Sequence, residues 1–131
     1  MNNQSAQVLE WMLEYEIRAS HRYGHNVALV MMATSDRQSV PRSAIAKTFR
    51  ACDEFFRLFS GSAVIMGETG RDGALTAIER YGFSCSGNYD LRFAVSNFPE
   101  DGETPHELIT LAGERLDQAL AGTHGPVVTA V

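Results

Sequence analysis

Apolar and polar positions recur along this chain with two different periods. Between residues 5 and 23, Val8, Leu9, Met12, Leu13 and Ile17 fall on one face of a helix, with Ser5 able to cap it and Gly24 placed to stop it. The run Asn26–Ala33, NVALVMMA, is almost unbroken apolar and predicts a central strand buried on both faces. After the polar connector TSDRQS, Pro41 suits the first turn of a second helix reaching about Cys52, with Ile45 and Phe49 inward. The segment EFFRLF–SG–SAVIMG then reads as a hairpin of strands near 54–59 and 62–67 around a Ser60-Gly61 turn.

A third helix is predicted from about Asp72 to Tyr81, with Gly82 as its stop. Leu91, Phe93 and Val95 alternate with Arg92, Ala94 and Ser96, the period of a half-buried strand near 90–96. Thr104-Pro105-His106-Glu107 opens a fourth helix with a capping box and a proline at its first position, and Leu108, Leu111, Ala112, Leu116 and Ala119 form its apolar stripe. The tail PVVTAV reads as an edge strand or a frayed end. The order is helix, β-α-β-β-α-β, helix, which implies an α+β domain with an antiparallel or mixed sheet and helices on its faces.

Composition narrows the function. At 131 residues the chain is one domain, 1–131, with 44% apolar residues and room for a core. A formal charge of −5 argues against general nucleic-acid binding, although Arg42, Lys47, Arg50, Arg57 and Arg80 are unevenly spread and leave room for a local basic pocket. Cys52 and Cys85 match no metal spacing and read as reduced thiols of a cytoplasmic protein. No signal-peptide pattern opens the chain, and no apolar run approaches the length of a bilayer span. His21, His25, His106 and His124 lack metal-ligand spacing, and GETGRDG lacks the lysine of a phosphate-binding loop. Phe55, Phe56 and Phe59 are candidates either for stacking on bases or for the core.

The hairpin neighbourhood carries the chemistry. Arg50 and Asp53 precede it as Arg-x-x-Asp. Alone, they read as an i, i+3 surface ion pair at a helix end, worth about 0.2–0.5 kcal/mol. Arg80 reads as a cation near a helix C-terminus. In a ligand site the same groups do more. A guanidinium can donate two parallel hydrogen bonds to a phosphate or to another planar acceptor pair, and a carboxylate can accept from N–H donors.

From about residue 9 to about residue 121 the chain resembles GGDEF domains, the diguanylate cyclase fold. HRYGHNVALVMMATSD resembles the family's helix end and first strand. RLFSGSAVIM resembles its arginine-leucine, signature turn and following strand, and NFPEDGETPHELITLAGERLDQAL its C-terminal turn and helix. The resemblance implies a nucleotide-cyclase, ferredoxin-like sheet in truncated form, with 122–131 as a tail. It also implies losses. Ala33 and Ser35 stand where the family has acidic metal ligands, and Gly61 and Ser62 where its turn has Asp and Glu. Leu120 stands where active members carry a phosphate-binding lysine. The connector before the hairpin is short and lacks the guanine-contacting residues. Mg²⁺ requires carboxylate oxygens, and Asp36 alone does not rebuild a two-metal site.

What the resemblance retains is an allosteric product site. Arg50-Ala51-Cys52-Asp53 keeps the family's offset from the turn, and Arg80 in AIERYG sits where a second arginine reaches the same ligand. The expectation is a catalytically inactive receptor for cyclic di-GMP through Arg50, Asp53 and Arg80, with no catalytic residue, metal or cofactor. In the resembling family this ligand bridges two domains, so a homodimer is one form the complex can take. The alternative is a ligand-independent docking module for another protein.

Overall fold

The structure, a computed structural model, describes residues 3–58, 60–85, 88–122 and 125–128. Helix α1 (Asn3–Tyr23) leads into strand β1 (Val27–Thr34); two short 3₁₀ turns (Arg42–Ala44 and Ala46–Thr48) precede the hairpin β2 (Asp53–Leu58) and β3 (Gly61–Gly67). Helix α2 (Arg71–Cys85), strand β4 (Leu91–Phe98), helix α3 (Pro105–Ala121) and strand β5 (Val127–Val128) complete the chain. The sheet runs β2-β3-β1-β4-β5. The β2–β3, β3–β1 and β1–β4 pairs are antiparallel, and β5 joins β4 in parallel. This is the α+β arrangement the periodicities predict.

Period-two alternation in β1 divides the core. Ala28, Val30 and Met32 face α2 and the 3₁₀ turns, with Val40, Ile45, Ile78, Tyr81 and Phe93. Val27, Leu29 and Met31 face the other helices, with Leu9, Leu13, Ile17, Leu108 and Ala112. The inward face of α1 is thus Leu9, Leu13 and Ile17. Val8, expected beside them, is 43% exposed.

Several boundaries differ from the sequence expectation. The second helix is absent. Ile45, fully buried, adopts φ −128° and ψ −2°, and the Thr48 hydroxyl donates to the Ile45 carbonyl at 2.7 Å. The backbone at Ile45 lies outside the helical region, which interrupts the helix between Ala44 and Ala46, and only short 3₁₀ turns form. The third helix does not stop at Gly82. Its last turn is held because Cys85 is buried and the Ser84 hydroxyl donates to the Ala44 carbonyl at 2.6 Å. Strand β4 is covered on both faces rather than half-buried. Ala94 and Ser96 are small enough for α3 to sit on them, and the Ser96 hydroxyl donates to the Leu108 carbonyl at 2.8 Å.

The hairpin loop is shifted by one residue, because Leu58 pairs with Gly61. Gly61 therefore belongs to a strand. A Cβ there would lie 2.5 Å from the Met32 carbonyl oxygen, which only glycine avoids. The fourth helix forms as expected. The Thr104 hydroxyl accepts from the Glu107 N–H at 3.1 Å, and Pro105 occupies the first turn. The tail contributes β5 through Val127 and Val128. Phe59, His124 and 129–131 lie outside the described residues.

Candidate functional site

Register determines what surrounds Arg50. Asp53 opens β2 opposite Met66, next to the point where β3 ends and the chain turns towards α2. Asp53 Oδ2 accepts the backbone N–H of Arg50 at 2.9 Å, and Oδ1 accepts from Arg50 Nε and Nη2 at 3.3 and 3.2 Å. Arg50 Nη2 also donates to the Gly67 carbonyl at 3.1 Å and to the Thr69 hydroxyl. Asp53 is not at the surface, as the sequence suggested. Its side chain is 3% exposed against 50% for Arg50. Nor does the pair end a helix, since the turns before it stop at Thr48. The motif ties the start of one strand to the end of its neighbour.

Beneath it, the Tyr81 hydroxyl is buried and has no hydrogen-bond partner among the described residues. Burial, then the charge of Asp53, push its pKa upward, and Arg50 pulls it back only in part. The phenol stays neutral at physiological pH.

Arg50, Asp53 and Arg80 border one cleft of about 280 Å³. Thr48, Glu68, Thr69 and Thr76 share its wall. Arg80 is exposed and makes no ion pair among the described residues. The cleft thus offers two guanidinium groups, one clamped and one unengaged, with the hydroxyls of Thr48, Thr69 and Thr76 and the carboxylate of Glu68 on the same wall. Sequence reasoning missed Thr69. A lone threonine in a turn gives no signal, and its partner Arg50 is far away along the chain. Lys47 and Arg57 do not line this cleft.

The opposite end of the sheet holds the positions where the resemblance expects acids. Ala33 and Ser62 are buried, and the Ser62 hydroxyl meets that of Ser39 at 2.6 Å. The connector therefore lies against the hairpin. Asp36 is exposed and accepts the Thr34 hydroxyl. No group of three or more His, Cys, Asp or Glu side chains suited to a metal occurs among the described residues.

A second buried polar cluster lies beyond β4. The fully interior end of Arg115 donates to the Val95 carbonyl at 2.7 Å and to Asp101 Oδ1 at 3.1 Å. Burial would raise the Asp101 pKa, but hydrogen bonds from Arg115 and the Asn97 N–H, with the charges of Arg115 and Arg71, hold it below the usual range. This cluster fastens α3 to the sheet. Cys52 is exposed and Cys85 buried, both as free thiols. Among the described residues no helix is long and apolar enough to cross a membrane.

No protein-family model matches the sequence, and no curated protein matches it. Solved structures do. The GGDEF domain of YfiN (also called TpbB) from Pseudomonas aeruginosa matches with a TM-score of 0.80 at 18% identity, over 95% of this chain and 94% of that one. The fold is that of a GGDEF domain. The active GGEEF domain of a diguanylate cyclase from Vibrio cholerae gives 0.75 at 9% identity, over 93% of both chains. Diguanylate cyclase SiaD of P. aeruginosa, in complex with its activator SiaC, gives 0.78 at 15% identity, over 95% of this chain and 57% of that one. The Arg50 cleft and the hairpin loop lie at opposite ends of the same two strands, β2 and β3.

Proposed function

We propose that this GGDEF-like domain is catalytically inactive and binds cyclic di-GMP at the Arg50–Arg80 cleft. The observation that carries the reading is the shared cleft. Arg50 and Asp53, at the turn into β2, and Arg80, from α2, border the same small volume. Small-molecule pockets start at about 300 Å³, so this one suits a single guanine and its flanking phosphate, with the rest of the ligand outside. Arg50 addresses the guanine O6 and N7 edge or a phosphate, and Arg80 supplies the second cation. Asp53 acts as a positioning residue, because both its oxygens are already committed to Arg50. Synthesis is disfavoured because Ala33, Gly61 and Ser62 provide no carboxylate for Mg²⁺.

Calorimetric titration with cyclic di-GMP tests the reading, with GTP as control. Wild type should bind, and Arg80→Ala should lose about tenfold or more in affinity with an unchanged melting temperature. No binding by wild type at high micromolar ligand would reject the receptor reading. A second reading, a protein-docking module, draws on an exposed aromatic face of α1.

A further inference from the structure

The surface of α1 turned away from the sheet exposes large apolar side chains. Trp11 is 77% exposed, Tyr15 68% and Val8 43%. They do not form a scattered set. Val8, Trp11, Tyr15, Arg18 and Arg22 follow the alternating three- and four-residue spacing of a helix–helix seam, opposite the buried Leu9, Leu13 and Ile17. Beside the seam runs an open groove of about 1040 Å³ between α1 and the edge strand β2, with Glu10, Trp11, Glu14, Phe56 and Arg57 on its walls. An exposed patch of this kind on a small domain marks a contact surface.

Charge along α1 says what covers it. The N-terminal half of the exposed face pairs Trp11 and Tyr15 with the carboxylates Glu10 and Glu14. The C-terminal half carries Arg18, whose side chain is 78% exposed, and Arg22. Such a face repels a parallel copy of itself and complements an antiparallel one. We infer that α1 is the contact surface between two copies of this chain, packed antiparallel about a twofold axis near Tyr15. Trp11 of each copy then meets Arg18 of the other, as a cation over an indole face. Arg18 and Arg22 of one copy approach Glu10 and Glu14 of the other and extend the Glu14–Arg18 ion pair already present at 2.9 Å. The contact is isologous, so it closes at two. It does not depend on nucleotide.

Sedimentation equilibrium on ligand-free protein tests this, from about 1 µM to about 500 µM. The expected result is a reversible monomer–dimer equilibrium, weakened at least tenfold by Trp11→Glu. Glu10→Arg/Glu14→Arg and Arg18→Glu/Arg22→Glu should each be monomeric alone and form a heterodimer when mixed, because each then presents one sign of charge. Circular dichroism checks that the surface variants stay folded. In a Cys52→Ser background, Tyr15→Cys should form a disulfide-linked dimer rapidly. A wild type that stays monomeric at the highest concentration overturns the inference and leaves the face to a different macromolecule. So does a dimer indifferent to Trp11→Glu, or a mixture of the two charge variants that does not associate.

Discussion

Replacing Asp53 by alanine separates the two roles that an Arg-x-x-Asp motif can have. If the pair were a surface ion pair, removing either partner would cost little. The geometry makes them unequal. The Asp53 carboxylate is 3% exposed and accepts the Arg50 N–H together with two guanidinium donors. Its loss removes three hydrogen bonds to a carboxylate and frees the start of β2, at a cost of about 2–3 kcal/mol. The Arg50 guanidinium is half-exposed, and water can replace it, so Arg50→Ala should cost only about 1 kcal/mol. For a chain of this length each kcal/mol lowers the melting temperature by about 3–5 °C, so Asp53→Ala should melt about 6–15 °C below wild type and Arg50→Ala less than about 5 °C below. Urea denaturation of both variants measures this directly. Cyclic di-GMP titration, run well below the melting temperature, should show Arg50→Ala weakened by about 1.5–3 kcal/mol. A neutral Asp53→Ala, or two variants equal within about 0.5 kcal/mol, would refute the clamp.

Three further outcomes are expected. Incubation with GTP and Mg²⁺ or Mn²⁺ should yield no cyclic di-GMP above a no-protein control, and product from a cyclase-free preparation would overturn the inactive reading. Gly61→Asp should not restore synthesis and should destabilise by about 1–3 kcal/mol in denaturant, because the new Cβ meets the Met32 backbone carbonyl at 2.5 Å; a neutral variant refutes this. Burial first, then the charges of Glu54 and Glu68, raise the Glu16 pKa above its usual 4.5. The folded state then holds that proton more tightly than the unfolded chain, so stability falls as pH rises from the usual value through the raised one. Glu16→Gln should therefore melt higher than wild type at neutral pH, with the gap closing below about pH 4; a gap that persists in acid would contradict the assignment.

Elements with local signals were legible in the chain. The capping box at Thr104 and Glu107, the unbroken apolar run of β1 and the alternation around Phe93 each carry their own chemistry within a few residues. Features that depend on distant partners were not legible. The second helix has a plausible start at Pro41, yet the burial of Ile45 against α2 and β1 overrides propensity. Gly82 looks like a stop, but Ser84 finds Ala44, forty residues away, and the helix continues. Arg115 sits in an otherwise apolar stripe, and nothing local shows that its charge ends on Asp101.

The candidate site divides in the same way. The family resemblance brought Arg50, Asp53 and Arg80 together, and all three do border one cleft. It could not show that Arg50 is held by the Gly67 carbonyl and the Thr69 hydroxyl, seventeen and nineteen residues on, because those contacts follow from strand register. Such holding gives Arg50 and Asp53 a reason to stand at this offset even without a ligand, so their presence weighs less for binding than it does in the sequence. Arg80 weighs more. It projects from α2 into the cleft with no ion pair among the described residues, and the fold gains little from its charge there. That makes Arg80, rather than the motif itself, the residue whose removal should separate binding from folding.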